Sequence, residues 1–160
     1  MTAMTRYVAG ITLFLILISG GCIPADTPAY LKFEEIPNDG WPQDYALEFT
    51  PCPDDSCGLA GENYQMTLIL RTPARHTLSS LPLVVTYDDD KGTLAEDTIV
   101  LKPESKEMSK HREYGVCEYE ITLRDKLRLS PGFTVTLTPL ADETKSSGLL
   151  NVGLRLDQCN

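Results

Sequence analysis

The residue whose chemistry says most is Cys22. It closes the segment Ile18-Ser19-Gly20-Gly21-Cys22, directly after an apolar run from Tyr7 to Ile18 that Arg6 precedes. A positive residue, an apolar stretch of this length and small residues before the cut are the marks of a secretory leader. A membrane-spanning helix needs about 20 apolar residues, so the run is too short to be one. The Gly-Gly-Cys ending has the pattern of a bacterial lipobox, with Ser19 where leucine is usual. In that chemistry the Cys22 sulfur receives a diacylglycerol, cleavage follows, and Cys22 becomes the acylated first residue. The alternatives are an ordinary secretory peptide with a chance cysteine at the cut, or an uncleaved anchor. Each buried methylene contributes about 0.8 kcal/mol, and two or more acyl chains anchor stably. The expected organisation is a leader at 1–21, a lipidated tether at 22–29 and one domain at 30–160.

Four further cysteines follow: Cys52, Cys57, Cys117 and Cys159. In an oxidising compartment an even number reads as disulfides, and four cysteines allow three connectivities. Pairing Cys52 with Cys57 closes a short loop worth about 2 kcal/mol, and Cys117 with Cys159 a longer one worth about 4. Against the second pair, alternation sets Cys117 on the apolar face of its strand and Cys159 on the face opposite Leu154 and Leu156. A zinc site is the rival, but its cysteines come as two close pairs, and only Cys52 and Cys57 are close.

Other groups that could do chemistry are isolated. His76 and His111 sit in polar, loop-like surroundings, and no serine stands in a Gly-x-Ser-x-Gly elbow. A nucleophile needs a base that a third group orients, and no such set is visible, so the chain is expected not to be an enzyme and to hold no metal or cofactor. Asp88-Asp89-Asp90-Lys91-Gly92 invites a calcium reading, but Gly92 falls one residue short of the EF-hand turn glycine. A polar hairpin turn explains the run. Trp41 is the sole tryptophan; its expected role is a core plug at the end of the domain, with a ligand-contacting platform as the alternative.

The elements that would position these groups are strands. In Tyr64 to Arg71 the residues Tyr64, Met66, Leu68 and Leu70 face one way. Cys117, Tyr119, Ile121 and Leu123 oppose Glu118, Glu120, Thr122 and Arg124, and the same period of two runs through Phe133 to Thr138 and Leu150 to Leu156. Weaker strands fit Tyr30 to Ile36, Tyr45 to Phe49, Leu81 to Tyr87 and Asp97 to Leu101, with turn residues between them. Pro103 to Gly115 reads as a long exposed loop with at most one helical turn. Strands with one apolar face can bury it only against one another, so the expected fold is an all-β antiparallel sandwich of seven to eight strands, immunoglobulin-like or jelly-roll-like. The balance of 14 basic against 23 acidic side chains, net charge −9, speaks against nucleic acid as a partner.

Several of these segments together resemble a known family. Phe33-Glu34-Glu35-Ile36-Pro37-Asn38-Asp39-Gly40-Trp41, Tyr64 to Arg71, Leu81-Pro82-Leu83 and Leu149-Leu150-Asn151-Val152-Gly153-Leu154-Arg155-Leu156 are similar, in order, to the gliding-motility lipoprotein GldH family of Bacteroidetes. The resemblance implies an envelope lipoprotein associated with gliding and secretion, held to the membrane by Cys22 and meeting a protein partner, with no active site to carry over. The four later cysteines depart from that family's pattern, and its homologues also occur in species that do not glide. Ile23-Pro24-Ala25-Asp26 lacks the acidic run of a surface-export signal, which points to a periplasm-facing domain. The alternative is a glycan- or peptide-binding module, which exposed aromatics beside a groove would favour. No oligomeric state is implied.

Overall fold

The computed structural model describes residues 27–140 and 146–159. Nine strands form there: β1 (Tyr30–Glu35), β2 (Leu47–Cys52), β3 (Asn63–Pro73), β4 (Leu81–Asp89), β5 (Gly92–Leu101), β6 (Met108–Glu113), β7 (Val116–Arg128), β8 (Phe133–Pro139) and β9 (Asn151–Gln158). They build two antiparallel sheets, ordered β1-β9-β3-β7-β6 and β2-β8-β4-β5. The fold is the all-β sandwich that the alternation predicts, with one strand beyond the seven or eight expected.

The pairing is nested. β1 pairs with β9, β2 with β8, β3 with β7 and β4 with β5. The chain is therefore one antiparallel ribbon, folded back at the β4–β5 turn and rolled into two layers, which is jelly-roll winding. Only β6 lies outside that scheme. It occupies the segment expected to be a loop, and the correction has a simple cause. Met108 is its one buried residue, so no apolar alternation marks it, and it forms by pairing back on β7 through the two-residue turn Tyr114-Gly115.

Between the sheets lie the alternate apolar side chains. Tyr64, Met66, Leu68 and Leu70 of β3 and Val152, Leu154 and Leu156 of β9 meet Leu83, Val85, Val135, Leu137 and Phe49 of the other layer, all nearly or fully buried. Trp41 closes one end of this core with no exposed surface, its backbone N–H donating to Ser146 Oγ at 2.7 Å and its indole N–H to the Tyr45 carbonyl at 2.7 Å. It is the expected plug and not a platform for ligand. At the side of the sandwich Arg124 of β7 ion-pairs with Asp97 of β5 and lies 4.7 Å from the centre of the Tyr87 ring. This clasp ties the two layers together.

Cys52 and Cys57 form a disulfide, with Cα atoms 5.2 Å apart. The expected partnership of Cys117 with Cys159 does not form, and both thiols are free. Register explains why. Cys117 lies opposite Thr72, whereas Cys159 follows β9 and its N–H donates to the Asn63 carbonyl. Thr72 and Asn63 are nine residues apart on one strand, about 30 Å at about 3.3 Å per residue.

Two predictions follow from the core and its register. Non-reducing mass analysis should show the hydrogen loss of one disulfide, and native alkylation should label half-buried Cys159 while buried Cys117 reacts only after unfolding. Burial pushes the Tyr87 phenol up to about 12, assisted by Asp97 and opposed by the Arg124 charge, and pushes Tyr30 to about 12 with help from Glu34. Both lie above the ordinary value of 10.0, so the fold prefers the neutral phenols. Their stabilisation is complete below pH 10 and should be lost as pH rises through about 12. Phenolate absorbance and urea unfolding at stepped alkaline pH check this.

Candidate functional site

The outer face of the five-stranded sheet is not a plain solvated surface. Register lays its outward side chains in rows across the strands: Glu35, Asn151, Arg71, Glu118 and His111 in one, and Phe33, Gly153, Ile69, Glu120 and Ser109 in the next. Beside these, Leu31, Arg155, Thr67 and Thr122 form a third. Cross-strand neighbours on one face pair, and opposite charges meet here. Arg71 donates to Glu118 at 2.6 Å and stacks 3.8 Å from the centre of the Phe33 ring. Arg155 makes two parallel hydrogen bonds to Glu120, at 2.8 and 3.2 Å, and a third to Asp157 at 2.8 Å. These bonds hold the Arg155 guanidinium above its ordinary value.

The Phe33 ring lies over Gly153. A Cβ at that position would stand 2.4 Å from the ring, so glycine is what allows the close approach. Under this layer Ile69 and Thr67 are buried at 2% and 3% exposure, although they point away from the core. The arrangement is a fixed bed of ion pairs and one aromatic ring across the middle of the sheet.

Two grooves flank the bed. One, of about 260 Å³, lies between the Lys106–Glu107 loop and the row carrying Arg155 and Thr122. The other, of about 340 Å³, is lined by Arg71, His111, Tyr114, Glu118, Leu150 and Asn151 among others. Among the described residues the Asn151 Oδ1 atom is buried and accepts no hydrogen bond. An unsatisfied buried acceptor is costly.

Tyr114 stands at the rim. It is the first residue of the β6–β7 turn, with φ +46°, and Gly115 follows at +82°. Both positive values suit a type I′ hairpin, but asparagine is the usual residue at the first position. A bulky side chain there costs about 1 kcal/mol or more. Burial does not offset that cost, because Tyr114 is 96% exposed. Leu150 beside it is 41% exposed. The groove thus offers an aromatic face, apolar contact and both donors and acceptors.

The ends of the domain differ. The chain enters at Tyr30, level with Leu156 and Met66, whereas the Tyr114 turn lies beyond the Pro73–Val116 pair. Met66 and Pro73 are seven residues apart, so the two levels are separated by about 23 Å at about 3.3 Å per residue. The Cys52–Cys57 loop and the Asp88–Gly92 turn belong to the end where the chain enters. Asp89 there accepts from the Lys91 N–H and from Ser130 Oγ, which holds its carboxyl below the usual range. These bonds shape a hairpin turn, as expected.

Of the residues singled out in the sequence, Cys22 and the leader lie outside the described residues. His111 reaches the groove, while His76 packs on Gly148 in a separate loop. Arg71, Glu118, Glu120 and Arg155 are on the polar faces that alternation assigns, but their pairing depends on register. Tyr114 carried no signal beyond the glycine after it, and alternation placed Leu150 on the apolar face opposite Asn151, whereas Leu150 precedes β9 and is exposed. Among the described residues no group of histidine, cysteine and carboxylate side chains is placed to hold a metal ion, and no helix is long and apolar enough to cross a membrane. Comparison with protein-family models, curated proteins and solved structures yields no match.

Gly153→Ala should invert the usual effect of replacing a strand glycine. Displacing the Phe33 ring would cost about 1–3 kcal/mol, seen as a lower urea midpoint. In a Phe33→Ala background the same change should cost much less, a coupling that the double-mutant cycle measures.

Proposed function

We propose that this chain is a lipid-anchored, non-enzymatic component of a bacterial envelope that holds a protein partner at the end of its sandwich farthest from the tether. The observation that carries the reading is Tyr114, a bulky residue in the left-handed region with almost its whole surface in water. Strain retained without burial marks a position kept for contact with something else. Tyrosine and arginine are also the side chains that dominate protein contacts, and Arg71 lines the same groove. In this reading Cys22 carries the lipid, 22–29 spaces the domain from the bilayer, and the Tyr114 end faces away from it into the periplasm. The likeness to the gliding-motility lipoprotein GldH family supports the same role.

A second reading rests on the same groove. A tyrosine face with the polar side chains of Arg71 and Glu118 in the same groove is a set that recognises sugar hydroxyls. The structure therefore supplies one exposed aromatic flanking a groove, the feature that favours a glycan module.

A photo-crosslinking residue in place of Tyr114, in native cells, separates the two. A gliding or secretion component captured there and not from a matched probe at Asp55 is the expected result; labelled oligosaccharide alone would replace the first reading with the second. Palmitate should enter the wild-type chain and not Cys22→Ser, and globomycin should block processing. Absence of both incorporated lipid and a processing block would remove the envelope role.

A further inference from the structure

β6 is the one strand that the nested ribbon does not require. It buries only Met108, and the other five residues, Ser109 to Glu113, are exposed. It is also a free edge, since among the described residues no strand lies beyond it in the five-stranded sheet. Free edges invite pairing with another chain, and proteins usually guard them.

The guarding differs from edge to edge. On β1 the inward-pointing Lys32 is paired with Glu34 at 2.6 Å, and on β5 the inward-pointing Asp97 is paired with Arg124. On β6 the inward side chains Lys110 and Arg112 form no ion pair among the described residues, Lys110 lying only 5.1 Å from the centre of the Tyr119 ring. His111 stands between them. Three consecutive basic-type residues therefore occupy one open edge of a chain whose net charge is −9.

Hairpin geometry shows which peptide groups are available. In a two-residue turn the flanking pair, here Glu113 and Val116, exchanges both hydrogen bonds, and hydrogen-bonded and non-bonded pairs then alternate. His111 and Ser109 spend their backbone groups on β7. Lys110 and Arg112 point theirs outward, and Met108, of the same parity, donates to Ser105 instead of to β7.

We propose that the free edge of β6 accepts an extended, acidic segment of a protein partner as an added strand. The outward N–H and C=O groups of Lys110 and Arg112 supply the ladder, and their side chains supply the preference for glutamate or aspartate on the incoming strand. A second copy of this edge is repelled by the same charges, and the β5 edge, with Glu96 and Asp97, repels an acidic strand. Lipid headgroups are the wrong ligand, because β6 spans only the levels from Ile121 to Val116, away from where the chain enters. The proposal rests on the protein-interaction reading above and names the partner's chemistry.

The test uses the full chain purified in detergent and two capped peptides, one alternating valine with glutamate, the other valine with lysine. The glutamate peptide should bind and the lysine peptide should not. Binding should weaken about tenfold in Lys110→Glu/Arg112→Glu, which reverses the attraction. A similar loss of about tenfold is expected in Arg112→Pro, which removes one outward donor but no bond to β7. In the wild-type chain, the amides of Lys110 and Arg112 should shift on binding and gain protection from exchange, a readout independent of how the variants fold. Equal binding of both peptides, unshifted amides at those two positions, or displacement by polyphosphate would overturn the proposal. A partner crosslinked at Tyr114 while these amides stay silent would sink strand addition and leave the interaction reading intact. Peptide binding at β6 without any crosslinked protein would do the reverse.

Discussion

Each strand of the ribbon has one face that water disfavours, and the only place to put it is against another strand's face. That constraint orders the molecule. Each fully buried leucine, valine or phenylalanine side chain contributes about 1.5–3 kcal/mol relative to exposure, far more than any single surface contact. Because side chains alternate along a strand, fixing which residues turn inward also fixes which turn outward. The inward set of β3, Tyr64 to Leu70, thus sets the outward set Gln65, Thr67, Ile69 and Arg71. The candidate surface is the other side of the core.

The outward set is held by weaker interactions used together. An exposed ion pair alone contributes about 0–1 kcal/mol. Arg155, gripped by Glu120 through two bonds and by Asp157 through a third, loses less in ordering because its planar fork matches the carboxylate. Arg71 is ordered from two sides, by Glu118 and by the Phe33 ring, and Gly153 sets the height of that ring. Such a bed holds each arginine through more than one contact beside the groove. Preformed contact surfaces spend less on ordering when they meet a ligand.

How much of this was legible follows from what each feature depends on. Strands β3, β7, β8 and β9 were readable because each carries its own period of two, and Trp41 because one large apolar residue between turns has few other places to go. The Asp88–Gly92 turn was readable from its composition. β6 was not, since an edge strand with a single buried residue has no period of its own; it exists through its partner. The pairing of Cys117 with Cys159 failed for the same kind of reason. Thiol proximity is a property of register, and the sequence on its own places both residues without the distance of about 30 Å that nine strand positions put between them. Arg71–Glu118 and Arg155–Glu120 are register properties too, so alternation could assign them a face but not a partner.

Three features that local pattern did not announce lie together. Tyr114 breaks the residue preference of its turn, β6 stands outside the ribbon, and Asn151 leaves an acceptor unpaired, all at one corner of one sheet. A sequence that served stability alone would place asparagine in the turn, omit the sixth strand and satisfy the amide. Local rules are most often broken where a site has been kept at some expense to the fold. Three departures at one corner, farthest from the point where the chain enters, are difficult to attribute to packing. None of them improves the core, and two of them present groups to the outside: a ring and a row of peptide bonds.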